Sequence, residues 1–314
     1  MTSNSRLIIE EAKRLGLQTE IISDKDHLFL ITNGQSSMII CELFSITLDP
    51  NCEAYRLSKN KDLTYALWNR EGIPFPKYYH FKNLEEFKKQ LSSLDLVFPL
   101  ITKEGGGSKS INVHMDIRTK EQLELAAQSY SGKFIAQQMA IGKEYRLLLY
   151  KGKLLGALQM IPPHIIGNGA ETVQELIAKA NLSKKEKKIK ITAAVLTTLE
   201  KSGYSLQSIP SEGTIISLQK NSRLSEGGTS IDCTPQVHPD IVQLAWKAVA
   251  ATNLGLGGID LICSDISAAP ENQPLAFLEV NTYPDLTIHY FPTEGTPQPV
   301  IKHILADIFQ LKNL

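Results

Sequence analysis

Gly257-Gly-Ile-Asp-Leu-Ile262 and Phe277-Leu-Glu-Val-Asn281 are two apolar, strand-like runs that carry oxygen-bearing side chains. Side chains along a strand repeat every two residues, so Glu279 and Asn281 share a face. Pairing of the two runs would bring Asp260 beside them. Two carboxylates and an amide oxygen are hard ligands, suited to Mg²⁺ that bridges substrate phosphates. For any one of these residues, a buried acid satisfied by backbone donors is the competing reading. For all three on apolar strands, uncompensated burial would be costly.

Working outward, residues 239–253 read as a helix before the first run, and 299–311 as a final helix. Upstream, 144–150 and 153–161 read as a hairpin turned at Lys151-Gly152, and 28–32 and 37–41 as one turned at Asn33-Gly34. Helices are expected at 6–15, 61–71, 84–94, 120–129, 172–180 and 187–202, with Asn83 and Thr119 as N-caps. Strands are expected at 18–22, 96–103, 111–117, 133–140 and 214–219. This order predicts an α+β fold with α/β layers and no internal repeat.

Composition narrows the function classes. The 314 residues hold 33 Lys plus Arg against 33 Asp plus Glu. Such a balance gives no global field for nucleic acid or anionic membrane. No apolar run is long enough for a membrane span, and the first residues lack a signal-peptide core. Cys41, Cys52, Cys233 and Cys263 have no CxxC spacing, which fits reduced thiols and a cytoplasmic protein. Cys41 and Cys263 are expected to pack inside apolar strands.

Lys103 ends an apolar strand, where an ammonium needs an anionic partner, and a nucleotide phosphate would supply one. The following Glu104-Gly-Gly-Gly-Ser-Lys-Ser110 lets backbone N–H groups close on an anion, although a plain surface turn reads equally well. Phe134 to Arg146 reads as strand, hinge, strand. Backbone there could pair with an adenine edge and Glu144 with ribose hydroxyls; by pattern alone it is an exposed connection.

Taken in order, these segments resemble the ATP-grasp superfamily of carboxylate–amine ligases, notably the ATP-grasp parts of cyanophycin synthetase and of bifunctional glutathione synthetase. The matching motifs are Lys59-Asn-Lys61-Asp-Leu-Thr, Gly72-Ile-Pro-Phe-Pro76, Ile101-Thr-Lys103 and Gly142-Lys-Glu-Tyr-Arg146. Leu224-Ser-Glu-Gly-Gly-Thr229, Gly257-Gly-Ile-Asp260, Glu279-Val-Asn281 and His289 to Gly295 complete the set.

The resemblance implies an ATP-grasp fold holding nucleotide between two α+β subdomains. It divides the chain into a short N-terminal segment (1–55), a central subdomain with the glycine-rich lid (56–141) and a C-terminal subdomain with the metal site (142–314). Lys61 and Lys103 would hold ATP phosphates under a lid containing Gly106, Gly107 and Ser108. Gln137, Gln138 and Met139 would line the adenine hinge, with Glu144 on the ribose. Asp260, Glu279 and Asn281 would bind two Mg²⁺ ions, with Mn²⁺ able to substitute. Arg146, Arg223 and Gly228 would face the acyl phosphate and acceptor. His289 and Glu294 fit either that neighbourhood or a structural role. The implied activity is ATP-dependent amide formation by a stand-alone ligase acting on amino acids or small peptides, without nucleic acid or membrane partners and with homodimers common among such enzymes.

Two departures stand out. Arg223 occupies a position where the relatives commonly carry Asn, and Gln137 replaces an acid common at the hinge. Arg223 keeps open a second function, a nucleotide-binding regulatory or scaffold protein that has lost turnover.

Overall fold

A computed structural model describes residues 1–44, 46–49, 53–104, 113–182, 188–219 and 221–311. The chain begins with α1 (Ser3–Arg14), β1 (Gln18–Ser23), β2 (Leu28–Thr32) and β3 (Ser37–Cys41). Next come α2 (Ala54–Lys59), α3 (Lys61–Arg70), β4 (Tyr78–Phe81), α4 (Leu84–Gln90), β5 (Leu100–Glu104) and β6 (His114–Ile117). The middle holds α5 (Lys120–Ala127), β7 (Phe134–Gln138), β8 (Lys143–Tyr150), β9 (Lys153–Ile161), β10 (His164–Ile166), α6 (Val173–Leu182) and α7 (Ala193–Lys201). It ends with β11 (Ile215–Ser217), β12 (Thr229–Asp232), α8 (Pro239–Ala250), β13 (Leu256–Cys263), β14 (Leu275–Asn281), α9 (Thr287–Tyr290) and α10 (Val300–Ile308). Among the described residues no helix is long and apolar enough to cross a membrane.

A five-stranded sheet, β12-β9-β8-β13-β14, organises the molecule; its hydrogen-bonded neighbours are all antiparallel. Lys151 and Gly152 turn the β8–β9 hairpin with positive φ at both residues, the geometry whose twist matches the flanking strands. One face of this sheet presents Tyr145, Leu147, Ile259, Leu261 and Phe277 to α8 and α3, where Trp68 is fully buried. Gly257 permits that packing, since a Cβ there would come within 2.7 Å of Val249. The opposite face is divided. At one end Leu148, Tyr150 and Leu256 pack against α1, α10 and the sheet β1-β2-β3. At the other end the polar residues of β8, β13 and β14 gather.

The four-stranded sheet β4-β7-β5-β6 has its own core, with Phe81, Leu100, Phe134 and Ala136 packed against Phe87 of α4 and Leu123 and Ala126 of α5. A small lobe of β10, β11, α6 and α7 closes around Val173, Ile177, Val195 and Ile216. Helices α2 and α3 pack into the core of the five-stranded sheet although they precede β4 in sequence.

Several local expectations change. Residues 33–36 form a four-residue loop, with Asn33 Oδ1 accepting from the amides of Gln35 and Ser36. Helix α7 starts at Ala193, capped by Thr192, and the described residues 188–192 of the expected helix lie outside it. Cys41 is exposed and not packed, because the β3 alternation turns Ile40 inward and its neighbour out. Cys263 is buried as expected, and Cys52 lies outside the described residues.

Candidate active site

Arg146, Asp260 and Glu279 lie directly opposite one another on β8, β13 and β14, so their side chains emerge on the same face. Arg146 donates from Nε to Asp260 Oδ1 at 2.6 Å and from Nη2 to Oδ2 at 2.7 Å. This planar, two-bond pair makes Asp260, only 5% exposed, an affordable buried charge. The carboxylate in turn pushes the guanidinium further up from its ordinary pKa.

Beside this pair, Glu279 is held above the usual carboxylate range, first by the protein crowded around it and next by Asp260. Lys61 and Lys103 pull it the other way, and the side chain keeps contact with solvent. Glu144 shares the face two residues before Arg146. Burial raises its pKa, and a hydrogen bond with Ser222 opposes the rise.

A bulge determines this arrangement. Asp260 pairs with Glu279, but the next residue, Leu261, pairs with Phe277, leaving Leu278 as the extra residue of β14. Phe277 and Val280, three apart, can therefore both enter the same core, while Glu279 points to the other side. The Tyr65 hydroxyl donates to the Leu278 carbonyl at 2.8 Å.

The facing wall comes from α3 and the four-stranded sheet. Alternation places Lys103, Gln137, Tyr78 and His80 on the face opposite the Phe81–Phe134 core. Asn60 caps α3 by accepting from the amides of Asp62 and Leu63, which sets Lys61 in the first turn. Lys61 Nζ donates to Gln137 Oε1 at 3.3 Å and lies 5.2 Å from the centre of the Tyr65 ring. Burial first, and then the neighbouring Lys103, bring the Lys61 ammonium down to about 7. Glu279 and Asp260 resist that fall, which places the two lysines within electrostatic reach of the two acids.

The remaining expected residues fall in varied settings. Gln138 and Met139 give their amide protons to the carbonyls of Lys77 and Pro99, at 2.8 and 2.9 Å. Asn281 lies opposite Gly258, one pleat beyond Glu279. Gly228 is tightly enclosed, since a Cβ would meet the carbonyls of Ser222 and Arg223 at 2.9 Å. Arg223 is exposed and bonded to Glu226 at 2.9 Å. Gly106, Gly107 and Ser108 lie outside the described residues. His289 is 1% exposed and depressed to about 3, by burial first and Arg146 second. Glu294 is exposed, and its carbonyl accepts from the amide of Asp232.

Among the described residues no group of three or more His, Cys, Asp and Glu side chains forms a metal site. Asp260 and Glu279 stand side by side with Asn281 one pleat beyond, oxygen ligands of the kind a hard cation takes, with both Asp260 oxygens engaged here by Arg146. Tyr65, Ser222, Tyr78 and His80, none of them in the matching motifs, border the expected residues, as does Asp62, which the motif at Lys61 contains without a stated role. Tyr65 was the accessible one, because it lies four residues from Lys61 on the same helix face.

The fold is that of the ATP-grasp ligases. The bifunctional glutathione synthetase of Pasteurella multocida superposes on 98% of this chain with a TM-score of 0.75 and 22% identity, the match covering 43% of that chain. In sequence the chain is homologous to the cyanophycin synthetase of Nostoc sp. (strain PCC 7120 / SAG 25.82 / UTEX 2576), 28% identical over 98% of this chain and 35% of that protein. It is also similar to the bifunctional glutathione biosynthesis protein GshAB of Clostridium perfringens (strain 13 / Type A), 25% identical over 98% of this chain and 41% of that one. The chain thus spans well under half the length of these relatives. No family model matches it.

Proposed function

We propose that this chain is an ATP-dependent ligase joining the carboxylate of an amino acid or small peptide to an amine through an acyl phosphate, with release of ADP and phosphate. The observation that carries the reading is the cross-strand row of Arg146, Asp260 and Glu279 on one sheet face, with Lys61 and Lys103 in electrostatic reach of it. Nucleotide would lie between the four-stranded and five-stranded sheets, with 1–55, 56–141 and 142–314 as the three segments of the chain.

A carboxylate is a poor electrophile. Its oxygen attacks the γ-phosphorus, the bond to the β-phosphate oxygen breaks, and ADP leaves. The amine then attacks the acyl carbon, loses a proton and displaces phosphate. Positioning and fixed charge supply most of such catalysis. Lys61 and Lys103 would hold the phosphates, and the glycine-rich segment with Gly106, Gly107 and Ser108 would cover them. Gln137, Gln138 and Met139 would receive the base, and Glu144 the ribose. Arg146 would stabilise charge on the transferred phosphoryl group, while Gly228 and Arg223 would lie towards the acceptor. Asp260, Glu279 and Asn281 would hold Mg²⁺, with Mn²⁺ as a substitute, and bound metal would neutralise charge on the phosphates.

The test is incubation of the protein with ATP, Mg²⁺ and pooled amino acids and dipeptides, with ADP and phosphate measured against an Asp260→Asn control. Pool-dependent release that disappears in the control supports the ligase and identifies the substrates as pools are divided. Tight nucleotide binding with no release under any pool would point instead to a regulatory protein.

A further inference from the structure

Asp62 is not needed to start its own helix. Asn60 already caps α3, leaving the Asp62 carboxylate free for other partners. Both of its oxygens reach across to β4. The Tyr78 hydroxyl donates to Oδ1 at 3.0 Å, and His80 Nδ1 lies 2.8 Å from Oδ2. A carboxylate only accepts, so the imidazole nitrogen is the donor.

These bonds join two bodies that carry one phosphate-facing lysine each. Helix α3 bears Lys61 and is anchored in the core of the five-stranded sheet through Tyr65 and Trp68. The four-stranded sheet bears Lys103, and His80 stands in the same cross-strand row as Lys103, with Ile135 between them. Two lysines drawn together must either repel as ammonium groups or give up a proton, and both costs act to part α3 from the sheet. With His80 and Asp62 side chains 35% and 45% exposed, the pair adds little to global stability. Its effect is therefore on geometry.

We propose that Asp62, Tyr78 and His80 form a latch that holds Lys61 against Lys103 and so preorganises a site for a polyphosphate chain; the polyphosphate assignment rests on the ligase reading above. None of the three touches the phosphates in this scheme; they are positioning residues that act through the two lysines.

Two measurements on Asp62→Ala, Tyr78→Phe and His80→Gln test it. The first is the yield of Lys61–Lys103 cross-link with a short bifunctional aryl fluoride, which needs no nucleotide. The second is ATP affinity by calorimetry, with KM and kcat for ATP once a substrate pair is known. Asp62→Ala should cut the cross-link yield several-fold and weaken ATP binding about threefold, the scale of exposed charge-assisted bonds. KM should rise with kcat nearly unchanged and the melting temperature close to that of the parent. Tyr78→Phe and His80→Gln should each give part of the effect, and adding either to Asp62→Ala should give nothing more. An unchanged cross-link yield in folded Asp62→Ala overturns the latch. A lost cross-link in a protein whose parent binds no ATP keeps the latch and removes the ligase reading. A fall in kcat with KM unchanged would also sink it, by assigning Asp62 to the chemistry itself.

Discussion

Arg146 and Asp260 face each other from adjacent strands and are joined by two short bonds, with the carboxylate almost wholly out of water. Breaking one partner of such a pair strands the other. Arg146→Met and Asp260→Asn should each destabilise the protein by about 3 kcal/mol. The double variant should lose clearly less than the sum, as read by denaturant unfolding. Strict additivity would mean that the two groups do not depend on each other.

Lys103→Met should leave the fold intact and lower turnover by at least about a hundredfold, because fixed cations carry much of phosphoryl-transfer catalysis. Circular dichroism and a steady-state assay check both halves. Near-normal activity would remove Lys103 from the phosphate site.

The Lys61 ammonium, brought down to about 7, is largely uncharged at pH 8.5 in the free protein. A bound triphosphate favours the charged form, so binding at that pH takes up a proton. Affinity should then fall as pH rises from 7 towards 10, by at most about tenfold per unit. Calorimetry without divalent ions, in two buffers of different ionisation heat, counts the proton. No uptake at pH 8.5 contradicts this account, and Lys61→Arg should abolish the uptake.

His289 is buried neutral, with its pKa lowered from 6.5 to about 3. A group depressed on folding contributes stability that is complete above its unfolded pKa and is lost as pH falls through the folded value. The protein should weaken steadily from pH 6.5 towards 3, and His289→Asn should flatten that part of the curve. Gly156→Ala tests the packing separately, because its new methyl would come 2.6 Å from His289 Nδ1. A loss of about 1–3 kcal/mol is expected from that overpacking.

Much of this was legible in the chain because alternation and turn chemistry are local. The β8–β9 hairpin follows from Lys151-Gly152, and the pairing of β13 with β14 from their apolar runs. Strands β4, β10 and β12 and the six-residue helix α2 escaped, each lacking the longer apolar run that marked the equally short β11 within 214–219. The bulge at Leu278 escaped for a different reason. Phe277-Leu-Glu-Val-Asn281 reads as an unbroken alternating strand, and only pairing with β13 shows that Phe277 and Val280 enter one core. The partners of Asp62 likewise come from β4, whose place beside α3 is a tertiary fact.

The bond from Tyr65 to Leu278 carries a directional constraint through the cleft. A peptide carbonyl can only accept, so the phenol proton is committed to Leu278, and only the oxygen lone pairs remain for Gln137. That obliges Gln137 to present its NH₂ to Tyr65 and its oxygen to Lys61. A distortion of one β-strand thus sets the polarity of a side chain on another sheet. A glutamate at position 137 would have no proton to offer the phenol unless it became protonated, so the amide here is the chemically matched choice, and exchanging it for the acid would turn a relay of three compatible hydrogen bonds into a contest for one proton.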